Sequence, residues 1–177
     1  HRRVVHGDIK PENLLLQQNH AGMKIADFGS ARRVGCAGGA RVAMLSERGT
    51  QLYAAPELRF GLQWNERVDV WASGLCIFFM LKAGLPFDGC RGRVARQLRA
   101  GRLPEIAWGG GVVAVTPTTR DLVEQSLTVE MRDRPTAMEL VRHPALGRQR
   151  APGAASARAL RRRRSLGSAE SAPRAAA

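Results

Sequence analysis

The sequence predicts a mainly α chain with one small β-hairpin near its start. Two observations point there. Apolar residues recur at helical spacing in several stretches from Arg67 onward, whereas strand-like runs are confined to two short segments before Asp27. Asn13-Leu14-Leu15-Leu16-Gln17 and Met23-Lys24-Ile25-Ala26 are separated by the polar Gln18-Asn19-His20-Ala21-Gly22, which ends in glycine, so they read as the two strands of the hairpin. Closing it would bring Asn13 and Asp27 together from fourteen positions apart. From Ser30 to Ser46 the chain turns to Arg, Gly and Ala without periodicity, the profile of a mobile loop.

Arg67 to Lys82 carries the clearest helical pattern, with Asp69 near its start and Gly84 after its end as capping favours. Its apolar part, Trp71 to Leu81, falls short of the ~18 residues of a membrane span and reads as a buried helix. Val94 to Ala100 and Thr118 to Leu127 read as further helices, the second with Thr118 or Thr119 as its N-cap. Thr136 to Arg142 makes a last short helix that stops at His143-Pro144, because proline lacks the N–H a helix needs. Residues 1–146 are therefore expected to form one domain. After Gly147 the composition collapses to Ala, Arg, Ser, Gly and Pro, which cannot bury enough surface to offset ordering entropy, so residues 147–177 read as a disordered Arg/Ala-rich tail.

The apolar fraction of 44% is ordinary for a globular protein and excludes a wholly disordered chain. The net charge is +13, and the tail, with eight arginines and one glutamate, holds seven of those charges, which leaves +6 for the rest. Cys36, Cys76 and Cys90 are odd in number and form no C-x-x-C pair, so neither a disulfide framework nor a zinc site is indicated, and a reducing compartment is expected.

The most informative string is His6-Gly7-Asp8-Ile9-Lys10-Pro11-Glu12-Asn13, followed by Asp27-Phe28-Gly29. An acid, a lysine, an asparagine and a second acid at these offsets suit phosphoryl transfer, which needs a carboxylate to orient the attacking hydroxyl and oxygen ligands to hold magnesium against the phosphates. The string resembles the catalytic loop and magnesium motif of eukaryotic protein kinases, H-R-D-L-x-x-x-N and D-F-G. Gly49-Thr50, Tyr53-Ala54-Ala55-Pro56-Glu57, Asp69-Val70-Trp71-Ala72-Ser73-Gly74 and Arg132-Asp133-Arg134-Pro135 come after it in the order of that family. The resemblance covers about His1 to Leu146 and implies the family's C-terminal lobe, with the N-terminal lobe absent. Nothing before Val4 supplies a Gly-rich loop, a strand lysine or its helix glutamate, and the chain opens on His1 rather than methionine, so it reads as part of a longer protein in which a leader would not be visible.

The resemblance also implies a role for each residue of these motifs. Asp8 would be the catalytic base, and Lys10 would lie beside the transferred phosphate and offset its charge. The run Lys10-Pro11-Glu12-Asn13 resembles serine/threonine kinases rather than tyrosine kinases, and Lys10, Glu12, Asn13, Leu15 and Asp27 form the expected ATP-binding set. Asn13 and Asp27 would hold Mg2+. The plainer readings are a surface-loop aspartate for Asp8, a turn cap for Asn13 and a turn residue before Gly29 for Asp27. Leu15 matches the floor under the adenine ring, with a hairpin core residue as the alternative. His6 would pack with Phe28, which alone would pass as core. Thr50 would hydrogen-bond the catalytic aspartate and lysine, or be a plain surface threonine. Glu57 and Arg134 would form a buried ion pair, and Asp69 would accept backbone N–H bonds from the catalytic loop.

Gly7 departs from the pattern, because the family's usual arginine there binds a phosphate on the activation loop. Ser46, four residues before Thr50, stands where many relatives carry that phosphate, and its main partner is gone. Gly109-Gly110-Gly111 lacks the spacing of a nucleotide loop and reads as a flexible surface loop. Arg161-Arg162-Arg163-Arg164-Ser165 reads as a nuclear import signal, a contact for nucleic acid or an anionic membrane, a site for an arginine-preferring kinase at Ser165, or a plain solvated tail.

The expectation is a serine/threonine protein kinase acting on protein substrates with ATP and Mg2+, cytoplasmic or nuclear, without a transmembrane segment. The N-terminal lobe would complete it in cis, and residues 1–177 alone would be inactive. The alternative is a non-catalytic binding or scaffold module derived from a kinase. A nucleic-acid-binding protein is a weaker reading, because the tail has no aromatic residues for base stacking.

Overall fold

The computed structural model describes residues 4–18, 22–33, 52–87, 91–110 and 114–147. Ser46, Thr50, Cys36, Cys90, Gly111, the loop beyond Arg33 and the basic run Arg161–Arg164 lie outside the described residues. The described residues are helix-rich, with two small sheets among them. The elements run β1 (Val4–Val5), β2 (Leu14–Leu16), β3 (Met23–Ile25), β4 (Arg32–Arg33), α1 (Pro56–Arg59), α2 (Arg67–Lys82), α3 (Arg91–Arg99), α4 (Pro117–Ser126) and α5 (Ala137–Leu140).

The hairpin is antiparallel, with Leu14 opposite Ile25 and Leu16 opposite Met23. A second antiparallel pair, Val4 with Arg33 and Val5 with Arg32, is invisible to pattern reading because two-residue strands have no period. The hairpin is not a core element. Leu15 is 54% exposed and Phe28 60%, and Leu16, Met23 and Ile25 are exposed with them, which corrects the core readings of Leu15 and Phe28. Only Leu14 of β2 packs on the main core.

That core is built around α2, whose bounds match the sequence pattern. Val68, Trp71, Leu75, Cys76 and Phe78 are buried around its circumference, so the helix lies inside the protein; Met80 near its end is exposed. Its caps differ from expectation. Asp69 does not cap the start, since its carboxylate is taken by the chain at His6 and Gly7. The stop is not Gly84 but Ala83, which takes the left-handed conformation at φ 56° so that its N–H reaches the Phe79 carbonyl at 2.8 Å. α4 packs across α2 at Gly74, where an added Cβ would stand 2.6 Å from the Ser126 Cβ. Glycine permits this approach. Ser126 is itself buried and donates to the Leu122 carbonyl at 2.7 Å.

The other helices begin where local chemistry dictates. α3 starts at Arg91, three residues before the first apolar position, and buries Val94 and Leu98. The N-cap of α4 is Thr116 rather than Thr118 or Thr119. Its hydroxyl accepts from the Thr119 N–H at 3.2 Å, and Pro117 occupies the first helical position, where its fixed φ suits a helix start. α5 is shorter than expected and is headed by Thr136, which forms a reciprocal capping box with Glu139. α1 is too short to show a period in the sequence; it has Pro56 at its start, Glu57 in its first turn and Arg59 in its last. Among the described residues no helix is long and apolar enough to cross a membrane.

Candidate functional site

The loop from His6 to Asn13 is fixed from beneath before any of its polar side chains is placed. Val5 is fully buried, and Asp69 on α2 accepts from the His6 N–H at 2.7 Å and the Gly7 N–H at 2.8 Å. Burial raises the Asp69 carboxyl above its ordinary value, and the two backbone bonds and His6 pull it back. Gly7 lies at φ 75°, a region that favours glycine, so the chain can turn there and present two successive N–H groups to one carboxylate.

His6 holds the second wall of the site. Its Nδ1 accepts from the Asp8 N–H at 3.3 Å, so the network assigns the ring proton to Nε2, which donates to the Ala26 carbonyl at 2.9 Å. The ring meets the edge of Phe28 with centroids 4.9 Å apart. With both nitrogens engaged and the residue buried, His6 positions the loop and is not placed to act as a base. The Ala26 carbonyl is a contact that sequence reading misses, since a backbone acceptor leaves no signature in residue types.

Asp8 is the centre of the loop. Its Oδ2 accepts from Lys10 Nζ at 2.8 Å and from Asn13 Nδ2 at 3.3 Å, and the same Asn13 nitrogen donates to the Asp8 carbonyl at 2.8 Å. Among the described residues no donor faces Oδ1. The ion pair is partly buried, and the hydrogen bond to Asp8 raises the Lys10 pKa, with burial opposing and the charges of Asp8, Glu12 and Asp27 adding. The tight turn Pro11–Asn13 brings the asparagine back; Pro11 starts it, and the Asn13 N–H closes on the Lys10 carbonyl at 3.0 Å. Glu12 is exposed on this turn and reaches Lys10 only through its charge.

The hairpin register places Asn13 beside the start of the second motif, because the Ala26 N–H donates to the Asn13 carbonyl at 2.9 Å and Asp27 is the next residue. Asp27 sits at φ 60°, and its Oδ1 accepts from the Gly29 N–H at 3.2 Å. Gly29 permits that approach, since a Cβ there would stand 3.1 Å from the same oxygen. The turn-residue reading of Asp27 is thus present in the geometry; being exposed, its carboxylate retains capacity for a cation. Leu15 on β2 and Phe28 just after Asp27 are both exposed.

The donor set decides what kind of magnesium site the protein can offer. Among the described residues no three His, Cys, Asp or Glu converge, so there is no closed metal cage. There are hard oxygen donors: the Asp27 carboxylate and the Asn13 amide oxygen, which is left over once Nδ2 binds Asp8. One carboxylate and one amide suit an ion that takes its other ligands from phosphates and water.

Glu57 and Arg134 are brought together from far apart in sequence. Arg134 is fully buried, its Nη1 and Nη2 donate to Glu57 Oε1 and Oε2 at 2.7 and 3.0 Å, and its plane lies over Trp71. Its remaining donors reach the carbonyls of Arg67, Thr128 and Val129, so the whole guanidinium is satisfied. Those three carbonyls also have no sequence signal.

Residues 1–146 match the family described as the protein kinase domain. The chain is 38% identical over 146 residues to the calcium/calmodulin-dependent protein kinase type II alpha chain of Drosophila melanogaster, covering 80% of this chain and 26% of the relative. It is 36% identical over 146 residues to the calcium/calmodulin-dependent protein kinase type II subunit delta of Oryctolagus cuniculus, with the same coverage, 80% and 26%. The chain thus spans about a quarter of the length of these curated relatives.

Proposed function

The chain belongs to the protein kinase domain family, and on that premise we propose that it supplies the catalytic loop and magnesium-holding residues of a serine/threonine protein kinase. The observation that carries this reading is the clamp on Asp8. Lys10 and Asn13 hold Oδ2, which leaves Oδ1 to accept the proton of an incoming Ser or Thr hydroxyl and to orient that oxygen for attack. Lys10 stands next to the base and stabilises negative charge that develops on the transferred group. Asn13 and Asp27 hold Mg2+, and Asp69 and His6 keep the loop in register without touching the reacting atoms. ATP with Mg2+ supplies the γ-phosphoryl group and the charge neutralisation that its transfer requires.

The exposed apolar run Leu15, Leu16, Met23, Ile25 and Phe28 supports placing the adenine ring and the phosphate-gripping lobe of the same protein on the hairpin side. Residues 1–177 contain no Gly-rich cover or strand lysine of their own, so activity is proposed for the longer protein and little or none for these residues alone. The test is phosphotransfer from ATP by the full-length protein to Ser, Thr and Tyr versions of one peptide, across a magnesium titration. Transfer to Ser and Thr that vanishes without magnesium and is lost in Asp27→Ala supports the proposal. Metal-independent transfer, or full activity of Asp27→Ala, contradicts it.

A further inference from the structure

Away from this site, the exposed side of α3 carries a row of arginines. Arg93, Arg96 and Arg99 stand at three-residue steps and Arg102 continues the spacing past the helix end, where its N–H donates to the Gln97 carbonyl at 2.9 Å. All four are exposed. Arg99 lies over the Phe60 ring at 4.7 Å; Arg93, Arg96 and Arg102 form no ion pair or side-chain hydrogen bond among the described residues. Cations in the last turn of a helix complement its dipole, which accounts for Arg96 and Arg99. Arg93 has no such account. It lies near the N-terminal end, where a cation opposes the dipole, and no acidic residue in the first turn offsets it.

Arg93 does line something. With Gln97 from the same helix and Pro104, Glu105 and Ala107 from the segment after it, it borders an open cleft of about 420 Å³. The cleft offers a planar guanidinium fork at its edge, an amide that both donates and accepts, and the apolar surface of Pro104 and Ala107 between them.

We infer that this cleft and the arginine row beside it dock an acidic segment of a protein partner. Carboxylates pair with Arg93, Arg96 and Arg102 through charge-assisted hydrogen bonds, and backbone N–H groups of the extended segment donate to Glu105 and Gln97. Glu105 argues for a peptide over a polyphosphate chain, because a continuous anion in the cleft would meet its carboxylate whereas a peptide supplies donors between its charges. Stacking is equally unfavourable for a nucleic acid: among the described residues no aromatic side chain lines the cleft, and the Phe60 face is covered by Arg99.

The experiment uses the full chain with Arg161–Arg164 changed to alanine, so that the tail cannot capture the probe. A fluorescein-labelled glutamate decapeptide is titrated by anisotropy, beside an uncharged peptide and a uridine oligonucleotide of the same length. Peptide binding that weakens about tenfold or more in Arg93→Glu, and is largely kept in Arg93→Lys, supports the proposal; the urea midpoint of each variant checks folding. Equal affinity in Arg93→Glu and its parent overturns it, as does an absence of binding at low salt. Tighter binding of the oligonucleotide than of the peptide, lost in the same variant, overturns the choice of partner.

Discussion

At the scale of single residues, the loop geometry rests on groups that do no chemistry. Glu57 and Arg134 satisfy each other in the interior, so Glu57→Ala leaves a buried guanidinium facing no anion and is expected to cost about 3–5 kcal/mol, read from urea unfolding. A loss below about 1 kcal/mol would mean that the carbonyls of Arg67, Thr128 and Val129 hold Arg134 unaided. Gly7 combines two consequences. Its φ of 75° means that Gly7→Ala costs about 1–2 kcal/mol. The lack of an arginine there means that Ser46→Ala in the full-length protein leaves phosphotransfer unchanged; a variant that is dead until a phosphomimic restores it would contradict this. The roles of Asp8, Asn13, Asp27 and Asp69 can be sought in the sequence because each motif fixes a residue type at an offset. The tautomer of His6 and the part of the Ala26 carbonyl cannot, since both depend on which backbone atom the fold brings near.

At the scale of elements, caps and close approaches decide where helices stop and meet. α2 is legible end to end because its apolar residues surround it, yet neither of its caps is: a carboxylate near a helix start can be claimed by a distant loop, as Asp69 is by His6 and Gly7. The start of α4 is displaced from its expected place because Thr116, Thr118 and Thr119 are chemically alike and only Pro117 distinguishes them. Gly74→Ala drives a methyl into Ser126 and is expected to destabilise by about 1–3 kcal/mol. The capping box of α5 gives a pH dependence. Bonds from the Thr136 N–H and hydroxyl hold Glu139 below its ordinary 4.5, so its contribution is complete above that value and disappears as pH falls through the lowered folded value. The exposed Asp121, held below its ordinary value by His143 and Gln125, acts in the same sense, and the partly buried Asp69, whose pKa is raised, in the opposite one. Comparing wild type with Glu139→Gln isolates the cap: the gap between their urea midpoints should be largest near neutrality and close as the pH falls below 4.5. A gap that widens in acid would contradict the assignment.

At the scale of the molecule, a helical core presents one polar loop and one exposed hairpin. The helix-rich class is readable from periodicity alone, while the exposure of Leu15, Leu16, Met23, Ile25 and Phe28 is not, because an apolar strand looks the same whether it faces the core or a surface awaiting another part of the protein. In the proposed function Asp8, clamped by Lys10 and Asn13, orients the hydroxyl that attacks ATP. The most direct measurement is the single-turnover rate of phosphoryl transfer by the full-length protein and its Asp8→Asn variant at saturating ATP and magnesium. Asparagine keeps the shape and loses the base, so a fall of about 10²–10⁴-fold with ATP binding retained is the expected result. An unchanged rate would show that Asp8 does not take part in the reaction.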